Sequence, residues 1–156
     1  MNRSFRMRRI GLMGVVVVSA ALSAAAQPHS VAEEPAIRAA IARFYEGWNA
    51  HDADKMVSVY ATDVDHINVF GEWQKGRDVV RDELARLHAG PLKTSQKTFT
   101  ILKIRFLGQD VAVAQVSSHS INGDNIGTYV MEKQKDGWLT VSFTNVAPND
   151  PPWKKK

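Results

Sequence analysis

The chain has 156 residues, of which 20 are lysine or arginine and 16 are aspartate or glutamate, for a formal net charge of +4. Four arginines and no acidic residue lie within residues 1–26, so the rest of the chain carries 16 basic and 16 acidic residues and is formally neutral. This balance argues against nucleic-acid binding, and the absence of cysteine excludes disulfides and a thiol nucleophile.

Residues 1–26 have the pattern of a secretion signal. Four arginines precede an apolar run at 10–22, which is shorter than the ~20 residues needed to span a bilayer. Ala24 and Ala26 fit the small-x-small rule and predict cleavage after Ala26. We therefore expect a periplasmic or secreted protein with no membrane association after cleavage; the alternative interpretation is an uncleaved anchor.

The remaining chain fits one domain at 31–147, followed by a polar tail at 148–156 that ends in lysines. The first predicted helix runs from Glu34 to Asn49, where apolar residues recur on one face. Asp52 is a good N-cap for a short second helix. A third helix is predicted from about Arg77 to Ala89.

A strand is predicted from Val64 to Phe70, between the second and third helices. After the third helix the pattern changes to that of extended chain, with four strands expected at 98–107, 110–121, 126–134 and 138–146. This order predicts an α+β domain whose helices lie on one side of an antiparallel sheet.

Asp136-Gly137 is the strongest hairpin signal in the chain. If these two residues form the turn, Lys135 lies opposite Trp138. Counting back along the two strands then pairs Tyr129 with Thr144, Val130 with Phe143, and Thr128 with Asn145.

This order of elements resembles the nuclear transport factor 2-like superfamily, and most closely its SnoaL-like, SgcJ/EcaC-type branch. The resemblance is carried by "FYEGWNAHDADKMVSVYATDVDHINVFGEWQKGRD", "RLHAG", "IRFLGQDVAVAQV" and "KQKDGWLTVSFTNV". It implies a cone-shaped α+β barrel of the cystatin-like type, in which three N-terminal helices pack in a strongly bent antiparallel sheet. It also implies a pocket at the open end of the cone and a homodimer formed through the sheet.

Ketosteroid isomerases of this fold allow a test at single residues. They use an aspartate base on the first strand, with a tyrosine and a protonated aspartic acid as hydrogen-bond donors. The resemblance puts Asn68 at the base position, Phe44 at the tyrosine, and Thr128 or Tyr129 near the third group. Because an amide does not accept the proton and a phenyl ring has no donor, isomerase chemistry by that route is excluded.

The same resemblance turns Asn68 toward a pocket with a polar floor. We predict that Asn68 and Asn145 orient a ligand, that Trp73 covers it, and that Arg77 attracts its anionic or carbonyl-bearing group. In the alternative interpretation, Arg77 forms a surface ion pair with Asp78 and Trp73 is a packing residue. The remaining predicted lining consists of Phe44, Tyr45, Trp48 and His66.

His88 and His119 are the predicted acid–base groups if the protein is an enzyme, although each alone also fits a structural histidine. No metal site is predicted, because Asp52 is explained as a helix cap and Asp63 as a turn residue. The sequence has no phosphate loop and no dinucleotide fingerprint, so no cofactor is expected.

Three functions stay open on the sequence. The first is a small-molecule-binding protein of the cell envelope, with an unidentified ligand. The second is a cofactor-independent enzyme, either an SgcJ/EcaC-type oxidoreductase or a hydrolase-like protein, that uses a pocket histidine. The third is a protein-interaction module.

Overall fold

The computed structural model describes residues 28–148, so the predicted signal sequence and almost all of the predicted polar tail lie outside the described residues. No helix within 28–148 combines the length and apolar composition needed to cross a bilayer. The helices are α1 (Pro28–Ala50), α2 (Ala53–Val57) and α3 (Arg77–Ala89), and the strands are β1 (Tyr60–Ile67), β2 (Trp73–Lys75), β3 (Thr98–Phe106), β4 (Val111–Ser120), β5 (Gly123–Gln134) and β6 (Gly137–Val146).

The six strands form one sheet in the order β2-β1-β6-β5-β4-β3. Strands β3 to β6 pair antiparallel as predicted, whereas β1 pairs parallel with β6, so the sheet is mixed. The chain between β1 and β6 contains α3 and four strands, and this long connection allows β6 to return in the direction of β1. The cystatin-like α+β architecture predicted from the sequence is confirmed, with one parallel pair in its sheet.

Strand β1 occupies Tyr60–Ile67 rather than the predicted Val64–Phe70. The strand stops because the Asn68 side chain takes over backbone groups of the next turn: its Oδ1 accepts hydrogen bonds from the N–H groups of Phe70 and Glu72. Gly71, with φ of 81°, completes the turn, and the chain returns as the short strand β2. The second half of the predicted strand is therefore the end of β1 and the turn of a hairpin with β2.

The predicted hairpin of β5 and β6 forms, but its register differs from the prediction. Gln134 pairs with Gly137, so the loop is Lys135-Asp136 and Lys133, not Lys135, faces Trp138. Gly137 has φ of 108°, a conformation that favours glycine, and it enters the strand instead of the loop. An irregularity between Val130 and Met131 shifts the pairing again, which gives Tyr129–Phe143, Val130–Ser142 and Thr128–Thr144 in place of the predicted pairs.

An aromatic core fixes α1 against the inner face of the sheet. Phe44 lies at its centre, with its ring 5.8 Å from that of Tyr60 and 6.4 Å from those of Tyr129 and Phe143. Tyr45 stacks on Phe99 at 4.3 Å. All of these rings except that of Phe99 belong to buried residues, so this part of the cone is filled by side chains.

Helices α1 and α2 approach each other closely at Gly47, and this contact gives a testable prediction. A Cβ at Gly47 would lie 2.6 Å from the backbone nitrogen of Met56. Gly47→Ala should therefore lower the free energy of unfolding by about 1–3 kcal/mol, although alanine is the better helix former. Urea unfolding measures the change.

Gly108→Ala is the matched control, because Gly108 has nothing within 4 Å of an added Cβ. Its effect should stay within about 0.5 kcal/mol. Equal stability of the two variants would contradict the close approach of α1 and α2.

Candidate functional site

A cavity of about 340 Å³ opens beside the aromatic core, between α3 and one end of the sheet. Its apolar wall contains Leu84 and Leu87, which lie three residues apart on α3, and Leu92 from the following turn. Trp48, one helical turn after Phe44 on α1, closes the inner end. The apolar stripe of α1 thus passes from the filled core into the cavity.

The polar lining comes from strand ends that meet at one edge of the sheet. Because β1 and β6 are parallel and Ile67 pairs with Thr144, the residues that follow them, Asn68 and Asn145, lie at the same edge. The turn between β4 and β5 reaches this edge too, since Ile126 pairs with Val146. The polar side chains in the lining are His66, Asn68, Gln74, Glu83, Lys97, Ser120, Asn122, Asn125 and Asn145.

Among the described residues that line this cavity, His66 is the one histidine. Its ring stacks on Phe143 at 5.0 Å, and its strand neighbour Gln74 also lines the cavity. Burial lowers the pKa of His66 from 6.5 to about 4, and the Gln74 side chain opposes this shift only in part. Its Nδ1 is buried and has no hydrogen-bond partner in the described part of the chain. His66 is therefore a neutral imidazole at pH 7.

Lys97 is a cationic lining residue that the sequence analysis did not identify. Its ammonium lies 3.8 Å from the centre of the Trp48 ring, and burial lowers its pKa from 10.5 to about 8. The Asn49 side chain holds the Lys97 backbone, accepting from its N–H at 2.7 Å and donating to its carbonyl at 2.9 Å. Since Asn49 and Lys97 are far apart in sequence, no local pattern indicates this position.

Four of the residues named from the sequence lie in the lining of this cavity: Trp48, His66, Asn68 and Asn145. The amide of Asn68 is already engaged, because it accepts from two backbone N–H groups and its Nδ2 donates to Glu72 at 2.7 Å. Asn68 therefore holds the turn between β1 and β2 beside the cavity.

Trp73 and Arg77 lie outside the lining of this cavity. Trp73 is 59% exposed on β2, where its Nε1 donates to Asp65 and the Lys75 ammonium lies over its ring. The Arg77 guanidinium donates to the backbone carbonyl of Tyr60 at 3.4 Å. Within the described chain Arg77 also forms no ion pair with Asp78. It is therefore neither in the cavity lining nor in the predicted surface ion pair.

The other predicted side chains lie elsewhere in the domain. Phe44 and Tyr45 belong to the aromatic core. His88 is buried behind Trp48, and its Nδ1 lies 2.7 Å from Nδ1 of His51, so one ring donates and the other accepts. Burial, and then the charges of His51 and Lys97, lower the pKa of His88 to about 4. His119 is exposed and pairs with Asp124.

The geometry suits non-covalent binding of a small molecule by apolar contact and hydrogen bonds. Between residues 28 and 148 no group of three or more histidine, aspartate or glutamate residues is arranged to hold a metal ion.

Solved structures with the same fold support this architecture. A domain of unknown function with a cystatin-like fold from Nostoc punctiforme is 21% identical, with a TM-score of 0.73 over 76% of this chain and 79% of that one. A cystatin-like-fold NTF2-like protein from Novosphingobium aromaticivorans is 17% identical, with a TM-score of 0.67 over 79% of this chain and 86% of its own. A ketosteroid isomerase-like protein from Erwinia carotovora atroseptica is 14% identical, with a TM-score of 0.63 and coverages of 76% and 98%.

These identities are low, so the likeness establishes the fold alone. No curated protein sequence matches the chain significantly. The family model of the SnoaL-like domain matches residues 41–141, from the middle of α1 to the middle of β6. The chain therefore belongs to the SnoaL-like domain family.

Proposed function

We propose that this SnoaL-like domain binds a small organic molecule in the cavity between α3 and the sheet. The observation that carries the proposal is the division of the cavity into an apolar wall and a polar edge. Sites of this kind bind an apolar body by contact and fix its orientation with a few polar groups. The volume of about 340 Å³ lies at the lower end of the range of small-molecule pockets.

The ligand would lie with its apolar body against Leu84, Leu87 and Leu92 and its polar groups toward the sheet edge. Asn145 and Asn125 offer amide donors and acceptors there, while His66 offers a neutral imidazole. Such groups suit carbonyl or hydroxyl oxygens, since neutral amides and imidazole both donate and accept.

An enzyme is the second candidate function, and the position of His66 favours it. A cofactor-independent oxidoreductase or hydrolase-like enzyme of the SgcJ/EcaC type would use this cavity histidine in place of His88 or His119. Because the pKa of His66 is about 4, its imidazole is a weak base at neutral pH. It would act mainly by hydrogen bonding to a carbonyl group of the substrate.

We also propose that the protein works as an exported homodimer. The proposal of export rests on the arginines, the apolar run and the Ala-x-Ala motif of residues 1–26.

The proposal of a dimer rests on the outer face of the sheet, where Ile126 and Val146 lie opposite each other and are 45% and 57% exposed. A role as a protein-interaction module would use the same outer face, and light scattering on the purified protein separates a dimer from a monomer.

Filling the cavity tests the binding proposal. Leu87→Trp places an indole against the lining, whereas Val79→Trp adds the same ring at a 53% exposed position of the same helix. The uncharged fluorophore N-phenyl-1-naphthylamine should bind the unaltered protein and Val79→Trp equally. We expect its affinity for Leu87→Trp to fall at least about tenfold, because the cavity volume is lost. Equal binding to both variants in a fluorescence titration would refute the site.

The pKa of His66 predicts how stability depends on pH. Folding lowers this pKa from 6.5 to about 4, so between those values the unfolded chain binds a proton that the folded protein does not. The free energy of unfolding should therefore fall as the pH falls from 6.5 to 4, with His66 contributing on the order of 2–3 kcal/mol. His66→Phe, whose ring can keep the stacking on Phe143, should remove this contribution.

His119→Gln is the control, because His119 is exposed on the sheet. His88 contributes a fall of the same sign, so the measured quantity is the difference between each variant and the unaltered protein in urea unfolding at pH 6.5 and pH 4. A His66→Phe variant with an unchanged difference would contradict the buried neutral imidazole.

A further inference from the structure

The cavity contains an ammonium group without a counter-ion. No carboxylate within residues 28–148 lies within 4 Å of the Lys97 ammonium, whose close neighbour is instead the face of the Trp48 ring. An aromatic face compensates a cation only in part, so Lys97 has lost hydration without gaining an anionic partner.

The carboxylate in the cavity lining, Glu83, already has an ion-pair partner. Glu83 is the one carboxylate among the cavity-lining residues of the described chain, and Arg86 binds it through Nε at 2.8 Å and Nη2 at 2.6 Å. The hydrogen bond with Arg86 lowers the pKa of Glu83, which keeps it ionised and paired. The net charge presented inside the cavity therefore comes from Lys97.

Several contacts fix the position of Lys97. Asn49 binds both its backbone N–H and its backbone carbonyl, so the end of α1 holds the residue from which the side chain extends. Trp48, which lies beneath the ammonium, has its own ring held by Ser95 through Nε1 and by the edge of His88. A lysine held at both ends has lost much of its rotamer freedom, so a ligand need not order it on binding.

We propose that Lys97 is the specificity-determining residue of the cavity and that the ligand is a small organic acid. This inference rests on the proposed binding function. The carboxylate or other anionic group of the ligand pairs with the Lys97 ammonium, and the apolar body lies beside Trp48 and the leucines of α3. Charge-assisted hydrogen bonds of this kind are about twice as strong as neutral ones.

The lowered pKa of Lys97 agrees with this geometry. Burial without an anionic partner lowers the pKa to about 8, and an anion bound beside the ammonium would raise it again. His66 and His88 are neutral at pH 7 and Glu83 is paired, so none of these neighbours supplies a competing free charge.

A pair of fluorescent probes separates charge recognition from apolar binding. 1-Anilinonaphthalene-8-sulfonate carries an anionic group, and N-phenyl-1-naphthylamine has the same ring system without it. At pH 7, Lys97→Gln should weaken the sulfonate probe at least about tenfold and change the neutral probe less than about twofold. Lys93→Gln removes an equal charge from an exposed lysine and should leave both affinities unchanged.

Two further variants keep the result decisive. Lys97→Arg retains a cation and should retain most of the affinity for the sulfonate probe, while Lys97→Met keeps an apolar stem over Trp48 and should lose it. Circular dichroism and melting confirm that each variant is folded. If Lys97→Gln does not fold, the comparison of Lys97→Met with Lys97→Arg gives the same answer.

The outcomes distinguish the two proposals. Suppose that the neutral probe binds the unaltered protein and binds Leu87→Trp more weakly. If Lys97→Gln and Lys93→Gln then lower the affinity for the sulfonate probe equally, or if neither lowers it, the role of Lys97 is overturned and the binding site stands. If neither probe binds the unaltered protein, or if both bind Leu87→Trp as tightly, the proposed function and this inference fail together.

Discussion

The packing of the Phe44 ring among Tyr60, Tyr129 and Phe143 holds α1 inside the curve of the sheet, and the rest of the domain depends on it. Gly127 leaves room for one of these rings on the neighbouring strand: a Cβ there would lie 2.8 Å from the Phe143 ring. With Phe44 fixed, the next turn of α1 carries Trp48 to the boundary between the filled core and the cavity. A rigid aromatic core of this kind keeps the neighbouring cavity from collapsing.

The cavity differs from the core in its electrostatics. In the core, aromatic rings pack against one another, and the Tyr129 hydroxyl donates to that of Tyr45 at 3.5 Å. At the cavity, two strand ends and a turn bring amides to one edge, burial keeps His66 neutral, and Lys97 is the charged lining residue of the described chain without an ion-pair partner. The position of Lys97 is set from a distance, since Asn49 at the end of α1 binds its backbone. The same helix therefore builds the core with Phe44 and presents the cation with its last turn.

Local signals predicted the elements better than they predicted the pairing. Helix α3 begins and ends where its apolar period and the following Gly90-Pro91 indicate, because both signals are local. The register of β5 and β6 could not be read from Asp136-Gly137, since the pairing of Gly137 with Gln134 moves it by two residues and the irregularity between Val130 and Met131 moves it back by one. The early end of β1 depends on hydrogen bonds of the Asn68 side chain, which the alternation of polar and apolar residues does not reveal.

Of the residues predicted from the sequence, Trp48 from the apolar stripe of α1 and His66, Asn68 and Asn145 from strands or strand ends lie in the lining of one cavity; whether they bind a ligand stays a prediction. Arg77 was the predicted cation of the pocket, whereas the cation in the cavity lining is Lys97, whose backbone is held by Asn49. The most direct test is a ¹H–¹⁵N NMR titration with 1-anilinonaphthalene-8-sulfonate. The account predicts that the Trp48 indole N–H and the amides of Lys97 and Asn145 shift most. Shifts confined to the outer face of the sheet, with Trp48 and Lys97 unchanged, would contradict it.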